Sequence, residues 1–137
     1  MAQLTHLLDM SVAARLGQPE VAAVVEPLQR AGRLGRTSVL ELEALFAARN
    51  HADARRVHQW LLMTLPLVPT HQADWDRASE VMLLLAQHGK HRAAGLADLV
   101  LAAVGERAGL SVLHCDKDFE HIADVTRQPV QAVALGS

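Results

Sequence analysis

The sequence predicts an α/β fold in which a central, mostly parallel sheet of four to five strands lies between two layers of helices, giving three layers α/β/α. Three observations lead there. Short apolar runs alternate with longer segments of helical spacing, and strands separated by helices pair in parallel with a crossover between them. Half of the residues are hydrophobic and a fifth are charged, enough apolar surface to cover both sheet faces and too much for a disordered chain. An aspartate closes each of two apolar runs, Asp9 after Leu7-Leu8 and Asp116 after His114-Cys115. Such a residue lands at the carboxyl edge of the sheet, where open α/β folds place their ligands.

At 137 residues the chain is predicted to form one domain, residues 1–137. Residues 4–9 read as the first strand, entering a turn at Met10-Ser11. Pro19 suits the first turn of a helix that runs to about Ala31, where Gly32 and Gly35 break it. An extended piece at 34–37 leads into a helix from Ser38 to about Arg49. Residues 51–64 form the next helix, and Pro66 and Pro69 separate it from a helix over 72–87 with Trp75, Ala78, Met82 and Leu85 at near-helical spacing. A basic loop at 89–95 precedes a helix from Leu96 to about Ala108, stopped by Gly109. A strand at 110–115, a short helix after Asp116 and a last strand around 130–135 complete the pattern.

Composition narrows the function. No apolar run reaches the roughly 20 residues that span a bilayer, and no basic stretch with a long apolar sequel opens the chain. Cys115 is the only cysteine, which excludes an intramolecular disulfide and a cysteine zinc cage and fits a reducing cytoplasm. Thirteen Lys and Arg stand against fifteen Asp and Glu, a net charge of −2. With five acids set aside for one cluster (Asp9, Glu41, Asp98, Asp116, Asp118), thirteen cations face ten acids, a balance of +3. Such a surface tolerates phosphate.

Asp9, Glu41, Asp98 and Asp116 are the candidate site, and each also has a plain structural explanation. Asp9 can start a turn and cap the helix that follows. Glu41 completes a Ser38-x-x-Glu41 capping box. Its neighbour Glu43 competes, but positions two apart on a helix differ by about 200°, so only one can face the site. Glu41 shares a stripe with Ala44, Leu45 and Ala48 and is taken as the inward acid, whereas Glu43 shares a wetter stripe with Leu40, Ala47 and Asn50. Asp98 stands in the first turn of its helix, where the dipole favours an anion. That helix is apolar almost all round, so a carboxylate buried on it needs a cation. Asp116 ends a strand directly, and Asp118 divides evenly between a solvated turn and a supporting role. If the four acids meet, a divalent metal relieves their repulsion economically.

Other constellations carry less. Eight histidines, including His88-x-x-His91, follow no zinc-site spacing, and most read as surface residues. There is no phosphate-binding glycine loop and no nucleophile elbow. Cys115 beside His114 would point to the opposite strand face. Trp60 and Trp75 sit on helical stripes and read as core or interface anchors.

Four segments together resemble a known family. Residues 7–12 (LLDMSV), 38–45 (SVLELEAL), 96–103 (LADLVLAA) and 112–119 (VLHCDKDF) look like the acidic motifs of PIN domains, in the form found in VapC-type toxins of bacterial toxin–antitoxin pairs. The resemblance runs nearly end to end in order and spacing. It implies a PIN-like fold, a cytoplasmic Mg²⁺-dependent endoribonuclease in which Mn²⁺ can substitute, an RNA substrate of the tRNA or rRNA class, a VapB-type antitoxin and a homodimer. Carried across, Asp9, Glu41, Asp98 and Asp116 are both catalytic acids and metal ligands, with Ser11 and Asp118 in support. Met10 departs from the family, which often has Thr there; this loosens a supporting hydrogen bond and removes no ligand.

In this reading Asp9 and Asp98 hold the metal directly, Asp116 directly or through water, and Glu41 either holds a second metal or orients the attacking water as base. Arg15, Lys90, His91, Arg92 and Lys117 are candidates to steer RNA phosphates. The apolar face of 57–65 (Val57, Trp60, Leu61, Leu65) suits a dimer or antitoxin contact. The main rival is a catalytically idle PIN-like domain that binds RNA or protein. A phosphatase of the haloacid dehalogenase type would need a second aspartate where Ser11 stands.

Overall fold

Alternating burial along two adjacent strands organises the molecule. In the computed structural model, which describes residues 3–135, β1 (His6–Leu8), β2 (Leu34–Gly35), β3 (Ser111–His114) and β4 (Val130–Ala132) form a sheet in the order β2-β1-β3-β4, every pair parallel. Four strands are thus present among the described residues, the lower end of the expected range. Leu7 and Val112 point to one face and Leu8 and Leu113 to the other, as period-two geometry requires. All four are fully buried, which is why these strands read as apolar runs rather than alternating ones.

Among the described residues seven helices flank this sheet: α1 (Met10–Ala13), α2 (Pro19–Arg30), α3 (Ser38–Phe46), α4 (His51–Thr64), α5 (Gln72–Gln87), α6 (Leu96–Ala108) and α7 (Asp118–Thr126). On the Leu7 face the core is built from α5, α6 and α7, with Leu85, Leu101, Val104, Phe119 and Ile122. On the Leu8 face it is built from α1 to α4, with Val12, Val21, Val25, Leu40 and Leu61. The three-layer arrangement is therefore present.

Several expected boundaries shift. The turn at Met10-Ser11 is the start of α1, because Asp9 caps a short helix there. Strand pairing stops at Leu8 and at Ala132, and α3 ends at Phe46 rather than near Arg49. The cap of α3 is Thr37, whose hydroxyl accepts the Leu40 N–H at 3.2 Å, so the expected Ser38–Glu41 box does not form. On α4 and just beyond it, Leu61 and Leu65 are core residues and Val57 and Trp60 pack on that core, leaving Leu62 and Met63 as its large exposed apolar side chains. Of the face expected for a partner, Leu61 and Leu65 are thus core, whereas Val57 and Trp60 stay partly exposed and line a groove with Met10, Ala13 and Leu16.

α6 is the central helix, buried from Asp98 through Gly105. Gly105 is what lets it lie so near the sheet: a Cβ there would stand 3.2 Å from the Leu110 carbonyl oxygen and 3.2 Å from Val112 Cγ2. Gly109, at φ 70°, then closes the helix in the left-handed conformation and turns the chain into β3. Gly105→Val should cost about 1–3 kcal/mol by overpacking against a strand that cannot retreat. Urea unfolding of the variant measures it, and a stability equal to the parent's would mean that α6 can move outward.

Candidate metal centre

Parallel pairing puts the ends of β1 and β3 side by side, so Asp9 and Asp116 leave the sheet at the same edge. The Asp9 N–H donates to the Leu113 carbonyl at 3.1 Å, continuing the ladder one step past β1. Asp9 also caps α1: its Oδ2 accepts the Ser11 N–H at 3.0 Å and the Ser11 hydroxyl at 2.5 Å. Ser11 Oγ in turn accepts the Cys115 N–H at 2.9 Å, bolting the end of β3 to the start of α1. The other oxygen, Asp9 Oδ1, is buried with no hydrogen-bond partner among the described residues.

The third acid arrives on α6. Asp98 is buried in the first turn of that helix, capped by Gly95. Gly95 lies close against it, since a Cβ there would come 3.3 Å from Asp98 Oδ2. The Gly95 N–H donates to Asp118 Oδ2 at 3.3 Å, and the Asp118 N–H to Asp116 Oδ1 at 3.0 Å. One carboxylate oxygen from each of Asp98, Asp116 and Asp118 lies within 4.8 Å of the others. Asp118, balanced on sequence alone, is thus part of the cluster.

Charge crowding shows in the acidities. Burial, followed by the Asp118 side chain and the charges of Asp9 and Asp116, pushes Asp98 up to about 8. Burial also raises Asp9, against the opposing pull of the Ser11 hydrogen bonds. Glu43 is raised too, by burial and then by the charge of Asp9.

That last coupling corrects the reading of α3. Glu41 does not join the cluster: Arg36 Nε donates to its Oε1 at 2.6 Å, and the same guanidinium donates to the Leu65 carbonyl. His58 Nε2 stands 4.0 Å from the other Glu41 oxygen. The stripe shared with Ala44 does face inward, but towards α4. α3 packs on both α4 and α6, so it has two inward faces, and Glu43 lies on the second. There its Oε1 is buried without a partner, beside an apolar groove of about 410 Å³ lined by Val39, Leu42, Trp75 and Leu96. The cluster is therefore Asp98, Asp116 and Asp118, with Asp9 near enough for its charge to act on Asp98 and Glu43 near enough to feel the charge of Asp9. A capping or stripe argument could not separate the two glutamates; the arginine two residues before the helix was the available signal.

His114, unlike most of the histidines, is buried: it is 1% exposed, with its ring tilted against Phe119 at a centroid distance of 5.1 Å. Its Nδ1 accepts the Asp116 N–H at 3.2 Å, and burial holds its pKa below the ordinary histidine value. Burial pushes the Cys115 thiol up, which works against a thiolate nucleophile. Among the candidate RNA contacts, Lys90, His91, Arg92 and Lys117 are exposed. Arg15 is half-buried and donates to the Ser11 carbonyl at 2.6 Å. No helix among the described residues is long and apolar enough to cross a membrane.

Comparisons with known proteins agree with this frame. The PIN domain family pattern matches residues 7–125. Ribonuclease VapC21 of Mycobacterium tuberculosis is 41% identical over 128 residues, 93% of each chain. Among solved structures, DNA-bound VapBC from Salmonella typhimurium superposes with a TM-score of 0.77 at 15% identity, covering 96% of this chain and 99% of that one. A member of the VapBC family of toxin–antitoxin systems, VapBC-5 from Mycobacterium tuberculosis, gives 0.63 at 22% identity, covering 98% and 100%. At such identities the structural likeness speaks for the fold, while the sequence relative speaks for the family. The chain belongs to the PIN domain family, and within it to the group of the VapC ribonucleases.

Proposed function

We propose that residues 1–137 act as one PIN domain with divalent-metal-dependent endoribonuclease activity, the toxin of a VapBC-type pair, cutting RNA of the tRNA or rRNA class by attack of water on a phosphodiester. One observation carries this reading. Asp98, Asp116 and Asp118 gather at the carboxyl edge of the sheet with the charges of Asp9 and then Glu43 close by, and two oxygens, Asp9 Oδ1 and Glu43 Oε1, are buried with no hydrogen-bond partner among the described residues. Buried anionic oxygens without donors are expensive, and hard oxygen ligands suit Mg²⁺ or Mn²⁺. The residues present fit the ion.

Asp9, Asp98 and Asp116 would hold it, with Asp118 at hand through its contact with Asp116. When bound, Mg²⁺ would acidify water and offset charge on the scissile phosphate and the leaving oxygen. Ser11 occupies Asp9 Oδ2 and so leaves Oδ1 for the site. Glu43 takes the role first given to Glu41: a carboxylate with a raised affinity for protons, suited to accept one from the attacking water. Lys90, Arg92 and Lys117, all exposed, are available to phosphates along the RNA, and Arg15 supports the Ser11 turn more than it reaches outward. The VapBC neighbours support a VapB-type antitoxin as protein partner, cytoplasmic action and a homodimer complete the proposal, and Mg²⁺ is the cofactor.

Purified protein should cut bacterial total RNA into discrete fragments with Mg²⁺ or Mn²⁺ and stop with EDTA. Asp98→Ala should lower the rate about 100-fold or more; cutting that persists in this variant would place the activity elsewhere. Glu43→Gln should lose cleavage with little change in stability. Glu41→Gln should instead keep cleavage and lose about 1–3 kcal/mol, because the buried Arg36 is left without its carboxylate. The opposite pattern would return the role to Glu41.

Acidity supplies a further check. Asp98 binds its proton more tightly folded than unfolded, so its contribution to stability is complete below a carboxylate's unfolded pKa of roughly 4. That contribution is lost as pH rises through about 8. In EDTA the melting temperature should therefore fall between those limits, and Mg²⁺ should restore it at the alkaline end and do little at the acidic end. A melting temperature independent of both would show that the acids do not share a site.

A further inference from the structure

We infer that His114 is a positioning residue: its Nδ1, by accepting the backbone N–H of Asp116, fixes the turn that aims Asp116 and Asp118 into the acidic cluster. The inference rests on the metal-centre reading above. The bond is 3.2 Å long, and the ring is 1% exposed, so water does not compete for the acceptor. The same turn carries a second bond, from the Asp118 N–H to Asp116 Oδ1 at 3.0 Å. One ring nitrogen thus sits beneath two of the three carboxylates that lie within 4.8 Å of one another.

The chemistry of the ring explains why it is an imidazole. A neutral histidine whose Nδ1 accepts a hydrogen bond carries its proton on Nε2. Nε2 is buried and has no hydrogen-bond partner among the described residues. A stranded buried donor costs stability, so His114 is a poor choice for packing alone. A phenyl ring would fill the same place against Phe119, where the centroids are 5.1 Å apart, and strand nothing. What phenyl lacks is the acceptor. Without it the Asp116 N–H turns to water, since Asp116 is only partly buried, and the spacing of the Asp116 and Asp118 oxygens is no longer fixed.

The test uses the full chain as wild type, His114→Phe, His114→Asn and His114→Gln. An asparagine amide oxygen can stand where Nδ1 does, whereas glutamine reaches past that position. Mn²⁺ binding is measured by electron paramagnetic resonance, folding by thermal melting, and the ring tautomer of the metal-free wild type by nitrogen NMR. The ring should be the Nε2–H tautomer. His114→Phe should melt no lower than wild type and bind Mn²⁺ about tenfold or more weakly, as loss of a ligand-orienting bond does. His114→Asn should bind close to wild type, and His114→Gln should resemble His114→Phe, which keeps the comparison decisive should the phenylalanine variant not fold. Wild-type affinity in His114→Phe or His114→Gln, a weak but folded His114→Asn, or the Nδ1–H tautomer would overturn the role. A wild type that binds no Mn²⁺ would overturn the metal centre itself, and the tautomer spectrum, which needs no metal, tells that failure apart from a wrong reading of His114.

Discussion

Mutual repulsion among carboxylates at one sheet edge is the constraint to which the rest of this structure answers. Asp9, Asp98 and Asp116 would separate in a flexible chain; held together, Asp98 is pushed up to about 8 by burial first, then by the Asp118 side chain and the charges of its neighbours. Three rigid elements hold them: the parallel pairing of β1 with β3, the burial of α6 from Asp98 to Gly105, and the turn between Asp116 and Asp118. Each is paid for by apolar burial away from the acids. Leu7, Leu8, Val112 and Leu113 are completely enclosed, so neither strand can slip to relieve the crowding. A preorganised, electronegative edge is the result, and in the proposed function it would take up a cation with little rearrangement.

Small polar devices refine what the cores impose. Ser11 joins Asp9 to the Cys115 N–H, so a single hydroxyl sets both the carboxylate on β1 and the chain leaving β3. His114 acts from the other side of the same strand end through the Asp116 N–H. Gly95 and Gly105 act by lacking a side chain, one letting the chain pass close to Asp98 and the other letting α6 approach the strands. The acids are therefore aimed by their neighbours' backbone bonds, and the sheet supplies only their address.

The division of labour between Glu41 and Glu43 has the same origin. α3 lies between α4 and α6, and each glutamate serves a different side. Glu41 neutralises Arg36, a buried cation whose backbone also pairs with the Pro66–Val68 stretch, and so it secures the entry into α3. Glu43 is left with an unpaired buried oxygen near Asp9. Stability is spent on the second and gained from the first. In the proposed function that asymmetry supports Glu43 rather than Glu41 as the residue that faces the chemistry.

Much of this was legible in the residues. Apolar runs ending in Asp9 and Asp116 located the carboxyl edge, and an all-round apolar helix carrying Asp98 announced a buried acid, because hydrophobic patterning and the cost of burying charge are local properties of sequence. Asp118 and Ser11 were visible as neighbours of those acids. The choice between Glu41 and Glu43 was not, since helical periodicity reports which residues face inward and not which neighbour they meet. The burial of His114 was hidden for a related reason: a histidine at the end of a strand reads the same whether Phe119 covers it or water does. Sequence by itself determined the order of strands and helices, the edge where the acids gather and the family to which they belong. Tertiary structure decided which glutamate, which oxygen and which supporting nitrogen take part, because those depend on contacts between segments that only packing brings together.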